Sequence, residues 1–311
     1  MTVASTLLKT LLRYLITIWI ASVIIFLLIR VIPGDPAAVA LGITATPESL
    51  AALRAQLGTD QPLVAQYLSW VGGLLTGDFG TSLSSGQDVS PLILDRMQVS
   101  LILVGCSIVL SLIIAVPLGV LAARRGGVVI SGVSQVGIAI PSFLAGILLI
   151  SVFAVGLGWL PANGWIPPDQ DFLGFIRRLI LPVLALTAVQ AAILTRYVRS
   201  AVVDVMSEDF MRTARSKGMS LGRALRVHGL RNAALPVLTV TGLQLTSLVI
   251  GAVVIEQVFV IPGIGSMLLD SVSNRDVTTV QSIVMLLVVF TLLVNLIVDL
   301  LYQVLDPRIR R

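Results

Sequence analysis

The sequence predicts an all-α integral membrane protein with six transmembrane helices. Of its 311 residues, 56% are hydrophobic and 12% are charged, and the mean hydropathy is +1.00. A soluble chain of this length could not bury so many apolar side chains, so a bilayer must be part of its solvent. A helix needs about 20 apolar residues to cross the hydrocarbon core. Six stretches meet that length: residues 14–32, 101–123, 128–160, 179–198, 233–260 and 280–301.

The first stretch, residues 14–32, shares some features with a cleaved signal peptide. Lys9 and Arg13 precede it, and the small-x-small sequence at 38–40 follows it. We favour a membrane span, because the apolar run is longer than that of a usual signal peptide. In addition, Pro-Gly-Asp-Pro at 33–36 lies between the run and the possible cleavage site.

Residues 33–100 form a connection too long for a simple turn, so they should carry structure of their own. Thr46 and the Pro-Glu-Ser that follows predict the start of an amphipathic helix, which Gly58 should end. A second helix should begin near Pro62, and the glycines from Gly72 onward should break it. We therefore predict a small subdomain between the first two spans.

The third and fifth stretches are longer than a span requires, which predicts tilt, a kink or an interfacial tail. Pro141 supplies one possible kink in the third. The single cysteine, Cys106, lies inside the second stretch and has no second thiol for a disulfide or a metal pair. We interpret Cys106 as a small packing residue.

The distribution of charge predicts the orientation of the chain, because Lys and Arg are retained on the cytoplasmic side. With both termini cytoplasmic, 15 of the 21 Lys and Arg residues lie inside and six outside. Ten of the 16 acidic residues then lie outside. Both termini are therefore predicted to be cytoplasmic, and residues 33–100 to be exoplasmic.

One cytoplasmic connection, residues 212–236, is unusually basic and also holds the only histidine, His228. Its six cations are Arg212, Arg215, Lys217, Arg223, Arg226 and Arg231. This basic segment is either a determinant of topology or a docking element for a soluble partner. Nucleic acid is excluded as a partner, because neither interleaved aromatic residues nor a binding fold accompanies the charges.

The local sequence predicts two short helices joined at a glycine. Ser207, which precedes two acidic residues, should start the first helix. Gly218 should end it in a left-handed conformation. Ser220 should cap the second helix, and Pro236 should lie in the first turn of the fifth span, where proline is tolerated.

This basic segment resembles the cytoplasmic EAA loop of ABC-importer permeases, in the form used by the peptide and nickel branch. Thr213-Ala214-Arg215 stands where the family has Glu-Ala-Ala, Gly218 is the loop glycine, and Leu235-Pro236 closes the motif. Because Thr213 replaces the acidic residue, the charge contact of that position is not carried over.

Six further motifs occur in the order expected for this family. They are IPGDP (32–36), LGTDQPLVAQYLSW (57–70), GDFGTS (77–82), VFVIPGIGSML (258–268), SNRD (273–276) and NLIVDLLYQVLDPRIR (295–310). The chain is similar to the B-type permease subunits of dipeptide and oligopeptide ABC importers. The resemblance implies a type I importer permease fold. It divides the chain into a first helix (1–32), an exoplasmic subdomain (33–100) and a five-helix core (101–311) with a coupling loop at about 204–236.

The resemblance also implies the partners. A second related permease, two cytoplasmic ATPase subunits and an extracellular substrate-binding protein would complete the importer in a prokaryotic cytoplasmic membrane. Residues 33–100 would be either a rim that packs on the membrane domain or part of the docking face for the binding protein. The substrate would be a dipeptide or oligopeptide, with glutathione or a nickel complex as alternatives.

The energy for transport must come from those partners. The chain has no GxxxxGK[ST] motif, so we predict that it is not an enzyme and binds no cofactor or metal, while ATP and magnesium bind the ATPases. The ATPase-coupling loop would comprise Arg212, Thr213, Ala214, Arg215, Lys217, Gly218, Ser220, Leu221, Arg226, Leu235 and Pro236.

Polar residues in the fifth span are candidates for the translocation path. Gln244, Ser247 and Gly251 share one helix face, which serves either helix packing or the path. Glu256 lies roughly 30 Å of helix beyond Pro236, near the outer boundary, where it is either structural or part of a gate. By the same reasoning, Asp299 lies near the inner boundary of the last span and is structural or interfacial.

Two other functions, ion-coupled transport and intramembrane catalysis, are alternatives to transport powered by ATPases. An ion-coupled secondary transporter should show mid-membrane charges and internal inverted repeats, and the sequence shows neither. An intramembrane Ser-His enzyme would need a histidine within a span, but His228 lies in the cytoplasmic loop, and HExxH is absent.

Overall fold

The computed structural model describes residues 3–31, 35–42, 45–124 and 127–305. Parts of the predicted features lie outside these ranges, namely residues 32–34 with the boundary of the first predicted domain, Arg125, and the basic tail 306–311. The described chain is helical, and the only paired extended residues in it are Thr81 and Asp88, which form one antiparallel bridge.

The helices in chain order are α1 (Val3–Val31), α2 (Pro36–Leu41), α3 (Pro47–Leu57), α4 (Leu63–Thr76), α5 (Ser90–Arg124), α6 (Val128–Ala139), α7 (Ser142–Leu149), α8 (Phe172–Ser207), α9 (Asp209–Ser216), α10 (Leu221–Ala224), α11 (Leu230–Val258), α12 (Ile264–Ser273) and α13 (Val277–Leu305). Two π-helical segments extend them, Ile150–Gly156 after α7 and Leu225–Gly229 between α10 and α11.

Among the described residues, five helices are long and apolar enough to cross a membrane, and the bent pair α6 and α7 makes a sixth span if it is counted as one. This confirms the predicted all-α membrane fold. The kink predicted at Pro141 is confirmed, since the chain bends by 98° between α6 and α7. Ile140 is extended at the bend, with φ −89° and ψ 119°. Pro141 disfavours a helical conformation at the residue before it and has no N–H for the helix ladder.

The chain folds as two compact units. One combines Met1–Val99 with Gly263–Leu293, and the other combines Ser100–Pro262 with Val294–Arg311. In the first unit, apolar side chains around the start of α5 form a buried cluster of Phe79, Val89, Ile93, Ile264, Met267 and Ile283. Residues 79–93 therefore share a core with α12 and the first part of α13.

The caps predicted in the first unit are confirmed, with one correction. The Oγ1 of Thr46 accepts a hydrogen bond from the N–H of Ser49, and Gly58 ends α3 in the left-handed conformation. Of the glycines predicted to break the second helix, Gly77 ends α4 in the left-handed conformation, whereas α4 runs through Gly72. A glycine inside a helix costs only about 1 kcal/mol relative to alanine, which the packing of a neighbouring helix can offset.

In the second unit, α8 packs against α6, α7 and α11. Glycines allow close approach of its helices. A methyl group added at Gly119 would lie 2.6 Å from Val198, and one added at Gly137 would lie 2.9 Å from Ala192. Small residues at helix contacts are expected within a membrane, where association depends on tight packing.

Candidate functional site

The first helix of the basic segment ends in a turn built around Gly218. Gly218 has φ +83°, a conformation that favours glycine because other residues carry a Cβ. Its N–H donates to the carbonyl oxygen of Arg215 at 2.9 Å, and the N–H of Met219 donates to that of Ala214 at 3.2 Å. These two bonds form a Schellman motif. The predicted glycine stop is therefore confirmed.

The apolar side of the segment packs onto the membrane helices. Met211 and Ala214 of α9, with Ala224 and Leu225 after the turn, belong to one buried cluster. The other buried members come from α8 and α11 and are Val198, Ala201, Val202, Val205 and Ala233. Partly buried residues around the cluster include Leu221 and two residues of α5, Val120 and Ala123. The segment is thus held against three long helices.

The opposite side of the segment presents cations. Arg212, Arg215, Lys217, Arg223, Arg226 and Arg231 are all exposed. Arg212 lies 3.3 Å from Asp209, and both side chains are largely exposed, so this pair adds little stability. Within the part of the chain that the structure describes, the other five cations form no ion pair. Phe210 and Val227 are exposed as well.

Thr213, at the position of the missing acidic residue, bonds to its own helix. Its Oγ1 donates to the carbonyl oxygen of Asp209 at 3.0 Å. The side chain is exposed. The local bond gives Thr213 a structural partner that does not involve charge.

Two predicted caps differ from the structure. Ser207 is the last residue of α8, and its Oγ donates to the carbonyl oxygen of Asp204, so α9 begins after Glu208 instead. Ser220 occupies the N-cap position of α10, but its side chain makes no capping bond. Its carbonyl oxygen accepts from the N–H of Ala224 at 2.9 Å. The two serines therefore lie near the starts of the helices, as predicted, but neither side chain caps a helix.

The second short helix is not separate from the fifth span. The chain is continuously helical from Leu221 to Val258, with Leu225–Gly229 as a π-helical turn within it. Pro236 is therefore inside a helix, next to the half-buried Leu235, and its predicted place in a first turn was wrong. A proline interrupts one bond of the ladder, and helices in membranes tolerate that loss when the surroundings compensate.

The four residues predicted as candidates for the translocation path lie in different surroundings. Gln244 is half-buried, and its Oε1 accepts a bond from Nε2 of Gln190 at 3.2 Å. Ser247 is exposed. A methyl group at Gly251 would lie 3.4 Å from Leu186. Glu256 is buried, with 1% of its surface exposed. The face predicted as one surface therefore includes both packed and open positions.

Two hydrogen-bond partners of these residues, on other helices, were not predicted from the sequence. Gln190 is buried in α8 and supplies the amide partner of Gln244. Ser100 donates its Oγ hydrogen to Glu256 at 2.5 Å. Gln190 could have been noticed in the sequence, because it is a polar amide within an apolar span. Ser100 carries no such signal, because serine is common in packed membrane helices.

Two of the family motifs, GDFGTS and SNRD, meet at Asp276 in the first unit. The buried carboxylate accepts bonds from the Oγ of Ser82 at 2.5 Å, the N–H of Leu83 at 3.1 Å and the Oγ1 of Thr279 at 2.8 Å. The end of GDFGTS is thereby fixed to the end of SNRD. A cavity of about 540 Å³ adjoins this anchor, and its polar lining residues include Ser82, Asp88, Asp95, Arg96, Asp270 and Asn274.

Comparison with known proteins yields two family matches. Residues 107–311 match the family described as binding-protein-dependent transport system inner membrane component. Residues 3–104 match the family described as the N-terminal part of binding-protein-dependent transport system membrane components.

Curated relatives match almost end to end. The chain is 40% identical over 292 residues to a probable peptide ABC transporter permease protein, y4tP, of Sinorhizobium fredii, with 93% of each chain covered. It is 39% identical over 295 residues to the oligopeptide transport system permease protein AppB of Bacillus subtilis, again with 93% of each covered. It is 40% identical over 309 residues to the glutathione transport system permease protein GsiC of Escherichia coli K12, with 97% of each covered.

Proposed function

Since the chain belongs to the family of binding-protein-dependent transport system inner membrane components, we propose that it is the permease subunit of an ATP-driven importer that carries peptides into the cytoplasm. The observation that carries this proposal is the basic segment, a helix and glycine turn whose apolar side packs on α5, α8 and α11. Relatives named as peptide and oligopeptide permeases support the substrate class.

The basic segment is proposed to be the coupling loop that two cytoplasmic ATPases move. Its exposed cations and the exposed Phe210 offer a surface for a soluble protein. Because Met211 and Leu225 are buried among the membrane helices, a displacement of the loop would displace those helices too. ATP and magnesium would bind the ATPases, and the permease would contribute the moving helices.

The remaining assignments follow the same proposal. Both termini face the cytoplasm, residues 33–100 are exoplasmic, and residues 101–311 form the permease core. A second related permease completes the membrane part, and an extracellular binding protein delivers the substrate. Gln244, Ser247, Gly251 and Glu256 are proposed to lie along the path, with Gln190 as the hydrogen-bond partner of Gln244. Side-chain amides suit a peptide, because they complement both the N–H and the C=O of a peptide bond.

Uptake into proteoliposomes tests the proposal. Vesicles containing both permeases and both ATPases, with the binding protein outside, should accumulate a labelled dipeptide or oligopeptide only when the ATPases can hydrolyse ATP. Omission of the binding protein should abolish uptake. Accumulation driven by a proton or sodium gradient without ATPases would instead assign a secondary transporter.

Glutathione is the second candidate substrate, because GsiC covers as much of the chain as the peptide relatives do. The same vesicles should be assayed with labelled glutathione and with a chelated nickel complex. Uptake of glutathione that unlabelled dipeptide fails to inhibit would favour the glutathione assignment. Uptake of the nickel complex alone would contradict both the peptide and the glutathione assignment.

A further inference from the structure

Helix α4 (Leu63–Thr76) lies in the connection between the first two spans, yet it has the composition of a membrane segment. Its sequence, LVAQYLSWVGGLLT, contains no charged residue. None of its residues is buried. With 14 residues it is about 21 Å long, too short for the roughly 30 Å hydrocarbon core. Such a helix is suited to the membrane surface and not to a full crossing.

Apart from Leu63 at its first position, the exposed large apolar residues of α4 form a single stripe. Val64, Leu68 and Leu75 are 70%, 62% and 84% exposed, and the half-buried Val71 lies between them. Their spacing of four, three and four residues places them on one face of a helix. The neighbouring exposed face carries small and polar residues: Ser69, Gly72 and Thr76. The helix therefore has one face for apolar surroundings and one for water.

A third face of α4 is fixed to α1. The hydroxyl groups of Tyr67 and Ser22 are 2.7 Å apart. The ring of Phe26 lies 5.3 Å from that of Tyr67 and 6.1 Å from that of Trp70. Arg30 stacks on Phe26 and donates a hydrogen bond to the Oε1 of Gln66. Contacts at three successive levels of α1 hold α4 beside that helix.

These contacts place α4 at the depth of a membrane span. Residues Leu8–Val31 of α1 form a candidate span. Ser22 is nine residues before the end of α1, or about 13 Å along its axis. A tyrosine side chain and a serine side chain together cannot cover that length. The backbone of α4 at Tyr67 therefore lies alongside the last turns of the span and not beyond its end.

Helix α1 also exposes apolar side chains along the turns that α4 contacts. Ile24, Leu27, Leu28 and Val31 of α1 are at least half exposed, as expected of side chains that face lipid. We propose that α4 is embedded in the membrane interface, with Val64, Leu68, Val71 and Leu75 against lipid acyl chains. Tyr67 and Trp70 are of the residue types that concentrate at this level of a bilayer. The inference is independent of the transported substrate, and only the choice of leaflet follows from the proposed topology.

Spin-label accessibility tests the inference in the assembled importer in lipid vesicles. Single cysteines replace Val64, Leu68 or Leu75 in a chain that also carries Cys106→Ala, and each is labelled with a nitroxide. The matched controls are Ser69→Cys and Thr76→Cys on the polar face. An unchanged elution volume in size-exclusion chromatography verifies that each variant is folded.

Oxygen concentrates in the acyl region, whereas a water-soluble nickel chelate stays outside it. We expect collisions with oxygen to exceed collisions with nickel at the three stripe positions, and the reverse at the two controls. Higher nickel accessibility on the stripe would place it in water and overturn the inference. Low accessibility to both reagents would show that another protein subunit covers the stripe, which would overturn it as well.

Discussion

Gly218 provides the sharpest test of the coupling loop, because its conformation and its surroundings separate two possible effects. It has φ +83°, and a Cβ at this position would meet nothing within 4 Å. A substitution therefore meets no steric barrier inside the chain. It does impose the left-handed conformation on a residue with a Cβ, at about 1–2 kcal/mol.

That strain corresponds to a shift of roughly 5–30-fold in the equilibrium between the formed and the opened turn. We expect Gly218→Ala to lower the amount of peptide imported per ATP hydrolysed by up to this factor. Assembly should remain intact, because the buried cluster that holds α9 does not include Gly218. Gly218→Asn should couple better than Gly218→Ala, since asparagine enters the left-handed region more readily.

The assay is the ratio of labelled peptide accumulated to phosphate released in proteoliposomes. Gly86→Ala is the matched control, because Gly86 has φ +69° and equally open space but lies outside the loop. Full coupling in Gly218→Ala would refute the argument from backbone strain. Equal impairment by Ala and Asn would also refute it, and would indicate that the loop surface tolerates no side chain at 218.

Three further predictions concern stability, and each is measured by thermal unfolding in detergent. Asp276→Ala removes a buried acceptor of several hydrogen bonds and should destabilise by about 1–3 kcal/mol; an unchanged midpoint would contradict the anchor. Gly119→Ala overpacks a helix contact and should cost about 1–3 kcal/mol, whereas Gly105→Ala, with open space around it, should be neutral or stabilising. The hydrogen bond from Arg54 is the main cause that holds the pKa of the Asp35 carboxyl below its usual range. The stability lost in Arg54→Gln should therefore be seen above the ordinary aspartate pKa of about 3.9 and should vanish as pH falls through the lowered folded value. A loss that persists in acid would contradict the pair.

Local signals in the sequence predicted local structure well. Thr46 and Gly58 bound α3 as expected, Gly218 ends α9, and Pro141 marks the bend between α6 and α7. In each case the determining interaction lies within a few residues of the signal. A capping oxygen or a left-handed glycine acts on its own turn, so neighbouring sequence is sufficient to identify it.

The failures have the opposite cause. Pro236 has the same chemistry as Pro141, but the helix around it continues from Leu221 to Val258. Whether a proline ends a helix depends on what the surrounding helices provide, which the local sequence does not contain. The anchor of Ser82 on Asp276 joins residues 194 positions apart, and no periodicity or spacing predicts such a pair.

The continuity of the helix after Gly218 changes how the loop would transmit motion. Two short helices with flexible ends would absorb much of a displacement. Instead, the residues after Gly218 are the first turns of a 38-residue helix that includes the fifth span. Helix α9 is separated from α8 only by the extended Glu208. Because Val205 of α8 and Leu225 of the π-helical turn share one buried cluster, a partner that displaces α9 must displace both membrane helices or disrupt that cluster. The proposed coupling loop is therefore best described as the packed end of two spans, with the turn at Gly218 setting the angle at which they meet.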